Sequence, residues 1–220
     1  MVRVFARAIR GVPNNALYAD LIPLLSPRKR ERVCRLVRGE DVVRALAGER
    51  LIRDIIKQDI GVDGAAVQID TNKYGKPFVV GYPGFNFNLS HSGLWVVCAV
   101  GRNPVGIDVE RERDVDRQTA ATFFSKEEQQ YLSTKPAKDW QSHFYRLWTL
   151  KESFVKCEGK GFFTDPASFT IKIEDDGIYL KSQSGTIDGR YRFRIFDLDR
   201  GYALAGCSEG EDFANEAMKV

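Results

Sequence analysis

Cysteine is scarce in this 220-residue chain, and the four present (Cys34, Cys98, Cys157 and Cys207) stand far apart with no CxxC pair. Two of them lie in apolar strand-like runs, VVCAV and ALAGC, so the cysteines read as buried free thiols rather than disulfides or a metal site. No run approaches the ~20 apolar residues that a membrane span requires. The opening MVRVFARAIRG has no long apolar core followed by small residues. Neither a signal peptide nor a membrane span is expected, and the protein is expected in the cytoplasm. The common nucleotide-binding loops are missing too. Nothing matches GxxxxGK[ST] or GxGxxG, so a nucleotide would not be held in either of those ways. There is no GxSxG elbow and no Ser–His–Asp order. Charge of one sign is also lacking: 33 Lys and Arg face 30 Asp and Glu, and a net charge of +3 does not by itself predict a nucleic-acid partner.

What remains is the composition of a soluble globular protein, 43% hydrophobic and 29% charged, which argues against disorder. The length suits one large domain or two of roughly 110 residues. Residues 2–9 read as a strand. SPRKRER opens a helix with Ser26 as N-cap and Pro27 in the first turn, and a second helix at about 40–58 carries Val43, Leu46, Ala47, Leu51, Ile55 and Ile56 at helical spacing. Short strands follow in AVQID, PFVV, FNFNLS, LWVVCAVG and NPVGIDVE. Then comes a helical stretch near 114–123, a capping box at Ser125 and Glu128, and a long helix at about 138–158. The strands SFTIKI, GIYLKS, YRFRIFDL and YALAGC close the order. The fold class is α+β, in two tightly joined halves of helices and a few antiparallel strands.

Chemistry concentrates in a few stretches. In GIDVE, strand alternation sends Ile107 and Val109 to one face and the acids Asp108 and Glu110 to the other. In LWTLKESFVKCEGKG, Leu147, Leu150, Phe154 and Cys157 make a core stripe, while Glu152 and Lys156 share another face near Trp148. That pair suits a surface helical ion pair as well as a site. FNFNLSHSG reads as a strand ending in a turn, with Ser90 and Ser92 flanking His91, one of two histidines, before Gly93. The grouping suits a phosphate oxygen, and equally a local hydrogen bond. YGKP displays Lys76 at a strand start, as a phosphate donor or a solubilising turn residue. Residues 28–38 hold six Arg or Lys against Glu31, either a solvated face or an anion-binding wall. Asp108, Glu110 and Glu152 are hard oxygen ligands suited to Mg²⁺; His91, Lys76, Lys156 and the basic helix are phosphate donors. Together they suggest a metal-assisted reaction at a phosphate or pyrophosphate.

The ordered set FNLSHSG, VGIDVE, FFSKEE and WTLKESFVKCEGKG resembles the surfactin-type 4′-phosphopantetheinyl transferases, the larger monomeric kind rather than the small trimeric holo-acyl-carrier-protein synthases. The likeness runs from SPRKRER through LAGERLIR and YGKP to DRGYALAGC. It implies two pseudo-symmetric α+β halves, 1–104 and 105–220, each with helices packed on a small antiparallel sheet and with coenzyme A in the cleft between them. By the same resemblance Asp108, Glu110 and Glu152 hold Mg²⁺ on the pyrophosphate. Lys76, Ser90, His91 and Lys156 meet the coenzyme A phosphates, and Lys29 and Arg32 meet the 3′-phosphate. Ala45 replaces a threonine of some relatives, which leaves Arg44 beside it as a candidate phosphate contact. A serine of an apo acyl or peptidyl carrier protein would attack, with Glu152 as its base and adenosine 3′,5′-bisphosphate leaving. The carriers could serve fatty acid, polyketide or non-ribosomal peptide synthesis. That the nucleophile belongs to the substrate accounts for the missing serine motifs. Carrier contact is expected between Gly159 and Arg190. There Phe162 and Phe163 beside Lys160 form either an apolar patch or part of the core. The competing readings are a module that binds coenzyme A or a carrier without transfer, and a pyrophosphohydrolase.

Overall fold

The alternation in VRVFARA makes the first strand, β1 (Val2–Ala8), in a computed structural model that describes residues 1–9, 15–160 and 164–220. A 3-10 segment at Asn15–Leu24 leads to α1 (Pro27–Cys34) and α2 (Gly39–Ile60). Then come β2 (Ile69–Thr71), β3 (Pro77–Val79), β4 (Asn86–Ser92), β5 (Trp95–Gly101) and β6 (Val105–Arg111). Three helices follow, α3 (Arg117–Ala121), α4 (Lys126–Ser133) and α5 (Trp140–Glu158). The strands β7 (Thr170–Glu174), β8 (Gly177–Lys181), β9 (Tyr191–Phe196), β10 (Tyr202–Glu209) and β11 (Phe213–Lys219) complete the order. Helix ends follow their sequence signals. The Ser26 hydroxyl accepts from Lys29 N, Ser125 and Glu128 form the full capping box, and α5 stops at Gly159 with φ 68°, a left-handed conformation that glycine adopts without steric cost.

The protein is α+β. One sheet has the order β11-β1-β5-β4 and another β6-β10-β9, beside the two-stranded pairs β2-β3 and β7-β8. Period-two alternation divides the apolar residues between three cores. Val4, Val97, Ala99, Ile107, Val109 and Leu204 fill the space between the two larger sheets. The opposite face of the first sheet, with Phe5, Val96 and Cys98, packs on Leu51, Ile52 and Ile55 of α2. On the second sheet Ala203, Ala205 and Cys207 meet Leu147, Leu150, Phe154 and Cys157, the stripe expected of α5. Ile107 and Val109 thus enter the core between sheets, and Asp108 turns towards α5. Among the described residues no helix is long and apolar enough to cross a membrane.

Three expectations are corrected, and one falls outside the described residues. β11 was not foreseen, because of its seven residues Phe213 alone is buried; it pairs in parallel with β1. Ser90, His91 and Ser92 belong to β4 itself, paired with β5 up to Ser92, and the turn is Gly93-Leu94. All four thiols are free, but only Cys98, Cys157 and Cys207 are buried; Cys34, the last residue of α1, faces solvent. Phe162 and Phe163 lie outside the described residues.

A buried ion pair locks the second half. Lys151 Nζ donates to both Glu128 carboxylate oxygens at 2.7 Å and to the Phe169 carbonyl at 2.8 Å, while Glu128 also accepts from Ile171 N. Burial pulls the Lys151 ammonium below its usual range, and Glu128 opposes that pull. Removing one partner strands the other without compensation, at a cost of about 3–5 kcal/mol. Lys151→Met is therefore expected to lower the urea unfolding midpoint strongly, and adding Glu128→Gln, which removes the stranded charge but keeps an acceptor for Ile171 N, should recover part of the loss.

Candidate functional site

Among the described residues no backbone ladder joins β4 to β6, although the strands lie side by side. Side chains supply the missing rungs. Asn88 Oδ1 accepts from Ile107 N at 2.9 Å, Ser90 Oγ from Val109 N at 3.4 Å, and Ser92 Oγ from Arg111 N at 3.0 Å. The period-two polar pattern of NLSHS thus satisfies alternate amides of β6, of which those of Ile107 and Val109 would otherwise be buried unpaired. Each serine hydroxyl still has its proton to give. Ser90 donates to Asp108 Oδ1 and Ser92 to Glu110 Oε2, both at 2.8 Å.

Helix α5 closes over this seam. It lies so near β6 that a Cβ on Gly106 would collide with the Ser153 carbonyl and come within 2.5 Å of Cys157 N. The glycine of GIDVE is what admits the helix backbone. That approach brings Lys156 Nζ to 2.5 Å from Asp108 Oδ1 and 3.1 Å from Ser90 Oγ. Glu152, one turn earlier, is half-buried beside them. Loss of water and the Asp108 charge push the Glu110 carboxyl above its usual range, against the Ser92 hydrogen bond. Loss of water likewise raises Glu152, with Lys156 opposing and Asp108 reinforcing the shift. Three carboxylates therefore share a single close ammonium.

Asp108 Oδ2 is the one buried side-chain oxygen or nitrogen among the described residues that has no hydrogen-bond partner. Such an orphan costs about 1–3 kcal/mol, and a hard cation would satisfy it. The donor set suits Mg²⁺, which takes carboxylate oxygens and substrate phosphates. Among the described residues no three His, Cys, Asp or Glu side chains already converge as a metal cluster. The fit therefore rests on the orphaned oxygen and the surplus of negative charge.

A pocket of about 800 Å³ runs from α1 to α5, with Lys29, Arg32, Lys76, Trp148, Glu152 and Lys156 in its walls. Not every expected donor points freely into it. Lys29 Nζ bonds the buried Glu49 at 2.5 Å, and Arg32 is exposed. Lys76 Nζ donates to the Cys157 carbonyl at 2.9 Å and the Val105 carbonyl at 3.0 Å, which caps the end of α5; burial draws that ammonium below its usual range. Arg44 lies outside the pocket walls, bonded to Asp41 and to the Gly93 carbonyl at 2.7 and 3.0 Å. His91 is exposed, yet crowding of its ring and the nearby Arg44 and Lys156 charges hold it below its usual range.

The chain as a whole matches a known family. A model of the 4′-phosphopantetheinyl transferase superfamily matches residues 104–207, and a model of the N-terminal part of 4′-phosphopantetheinyl transferases matches residues 12–103. The 4′-phosphopantetheinyl transferase Sfp of Bacillus subtilis (strain 168) is 36% identical over 196 residues, covering 89% of this chain and 87% of that protein. The chain belongs to the 4′-phosphopantetheinyl transferase superfamily. A 4′-phosphopantetheinyl transferase from Bacillus pumilus is 42% identical over 189 residues, covering 86% of this chain and 81% of its own. Among solved structures, the holo-[acyl-carrier-protein] synthase of Thermotoga maritima aligns with 50% of this chain and 64% of its own at a TM-score of 0.41 and 19% identity.

For this member of the superfamily, sequence reasoning missed Asn88 and Ser92 as seam residues and Glu49 as the partner of Lys29. The seam had a signal, the alternating polar residues of NLSHS beside a strand rich in buried amides. Glu49 had none, since its partner is 20 residues away on another helix. The close packing of β6 on α5 makes a test. Gly106→Ala is expected to cost at least about 1–3 kcal/mol through overpacking, read as a lower thermal midpoint; wild-type melting would mean that α5 does not rest on this glycine.

Proposed function

We propose that the protein moves the 4′-phosphopantetheine arm of coenzyme A onto a serine hydroxyl of an apo carrier protein, releasing adenosine 3′,5′-bisphosphate. One observation carries the reading. The α1–α5 pocket has Lys29 and Arg32 in its α1 wall and Glu152 and Lys156 in its α5 wall, where Lys156 holds an Asp108 whose second oxygen is orphaned. Membership of the superfamily supplies the reaction class.

Lys29 and Arg32 would meet the 3′-phosphate, and Lys156, with Ser90 and His91 near it, the pyrophosphate. Lys76 is proposed as a further phosphate contact, which requires its amine to exchange the Cys157 and Val105 carbonyls for phosphate oxygen. Arg44 could contribute only by leaving Asp41. Asp108, Glu110 and Glu152 would hold Mg²⁺, which when bound supplies positive charge against the pyrophosphate oxygens. The Glu152 carboxylate, its basicity raised by burial, accepts the proton of the carrier serine. The serine oxygen forms a bond to the β-phosphorus while the bond from that phosphorus to the bridging oxygen breaks, and the electron pair leaves on adenosine 3′,5′-bisphosphate. Lys156 remains protonated and steadies the charge that builds on the phosphates. The segment from Gly159 to Arg190 is the proposed carrier contact, a role supported by its position directly after α5.

Purified protein with coenzyme A and Mg²⁺ is expected to add the phosphopantetheine arm to an apo carrier, read by intact-protein mass spectrometry. A panel of apo carriers left unmodified would sink the transferase reading. Coenzyme A retained without turnover would favour the binding module, and phosphopantetheine released without any carrier would favour the pyrophosphohydrolase.

Asp108→Ala is expected to lower loading by at least roughly 100-fold with an unchanged circular-dichroism spectrum. Chelation of divalent ions should do the same reversibly, restored by added Mg²⁺. Retained turnover in Asp108→Ala would remove GIDVE from the metal site.

A further inference from the structure

Glu49 lies in the wall of the pocket yet is almost wholly buried. Its two oxygens are divided between two cations. Oε2 accepts from Lys29 Nζ at 2.5 Å and Oε1 from Arg53 Nε at 2.7 Å. Arg53, also buried, is fixed in turn by the Leu24, Val67 and Gly64 carbonyls. A chain of hydrogen bonds therefore runs from the backbone on either side of α2, through Arg53 and Glu49, to the amine of Lys29. The Ser26 cap fixes the backbone of the same lysine, its N–H donating to Ser26 Oγ.

We infer that Glu49 is a positioning residue, which holds the Lys29 ammonium in place for the 3′-phosphate and so sets the preference for coenzyme A over 3′-dephospho-coenzyme A. The inference rests on the coenzyme A reading given above. Two effects of Glu49 on a bound phosphate oppose each other. Its negative charge repels the phosphate, but Arg53 at 2.7 Å offsets that charge. Its bond to Lys29 removes most of the freedom that a long lysine side chain would otherwise lose on binding, a loss of roughly three- to tenfold in affinity. Fixing the side chain outweighs the screened repulsion. Lys29 keeps two of its three ammonium protons for the ligand.

The test is binding calorimetry with coenzyme A and with 3′-dephospho-coenzyme A, on the full chain and in the presence of Mg²⁺. Wild-type protein is expected to bind coenzyme A the more tightly. Glu49→Gln should weaken coenzyme A roughly three- to tenfold and leave 3′-dephospho-coenzyme A unchanged, so that the ratio narrows. In a Lys29→Met background the same substitution should no longer change the ratio, because the residue it acts through is gone. Parallel weakening of both ligands by Glu49→Gln would overturn the inference and leave Glu49 a purely structural residue. So would a further narrowing of the ratio in the Lys29→Met background. Should Glu49→Gln fail to fold, Lys29→Gln supplies the independent arm: an unchanged ratio there would also overturn the inference. Calorimetry does not need turnover, so a protein that discriminates through Glu49 but loads no carrier would fail as a transferase while the inference stands.

Discussion

Backbone amides of β6 that find side chains instead of a neighbouring strand are the constraint on which the site depends. β4 and β6 are edges of two different sheets. Asn88, Ser90 and Ser92 bridge the gap with one acceptor for every second amide. Because a hydroxyl can accept and donate at once, the same serines also fix Asp108 and Glu110. The seam that joins the sheets and the clamp that aims the acids are one set of atoms. Structure and site cannot be altered separately at these positions.

Charge placement follows from that geometry. Asp108, Glu110 and Glu152 lie near one another at the seam with Lys156 as a near counter-ion; burial, reinforced by the Asp108 charge, raises the basicity of Glu110 and Glu152, and one Asp108 oxygen is left orphaned. At the α1 side of the pocket the balance is reversed. There Lys29 and Arg32 face a single buried acid, Glu49, which is itself neutralised by Arg53.

The fold was largely legible because its signals are local. Alternation in GIDVE placed Ile107 and Val109 inward, the stripe from Leu147 to Cys157 gave the buried face of α5, and Ser26, Ser125 and Gly159 marked helix ends. Legibility failed where tertiary partners decide. Lys76 reads as a displayed lysine, yet it caps α5 across 81 residues of sequence. Lys151 carries no sequence mark of burial, since nothing in WTLKES shows that Glu128 will meet it. β11 escaped because an edge strand with one buried side chain needs little apolar alternation.

The parallel pairing of β11 with β1 carries a consequence for the order in which the chain is made. Residues 2–8 and 95–101 leave the ribosome early and can pair at once. The other edge of β1 waits for residues 213–219, more than two hundred positions later. Throughout that interval β1 presents an open row of amides and carbonyls, the kind of edge that recruits stray strands. A nascent chain stalled before residue 213 would hold a complete α5 and an unfinished first sheet. Separate expression of the two stretches on either side of Pro104 would meet the same difficulty, because the first would lack a strand that only the second can provide.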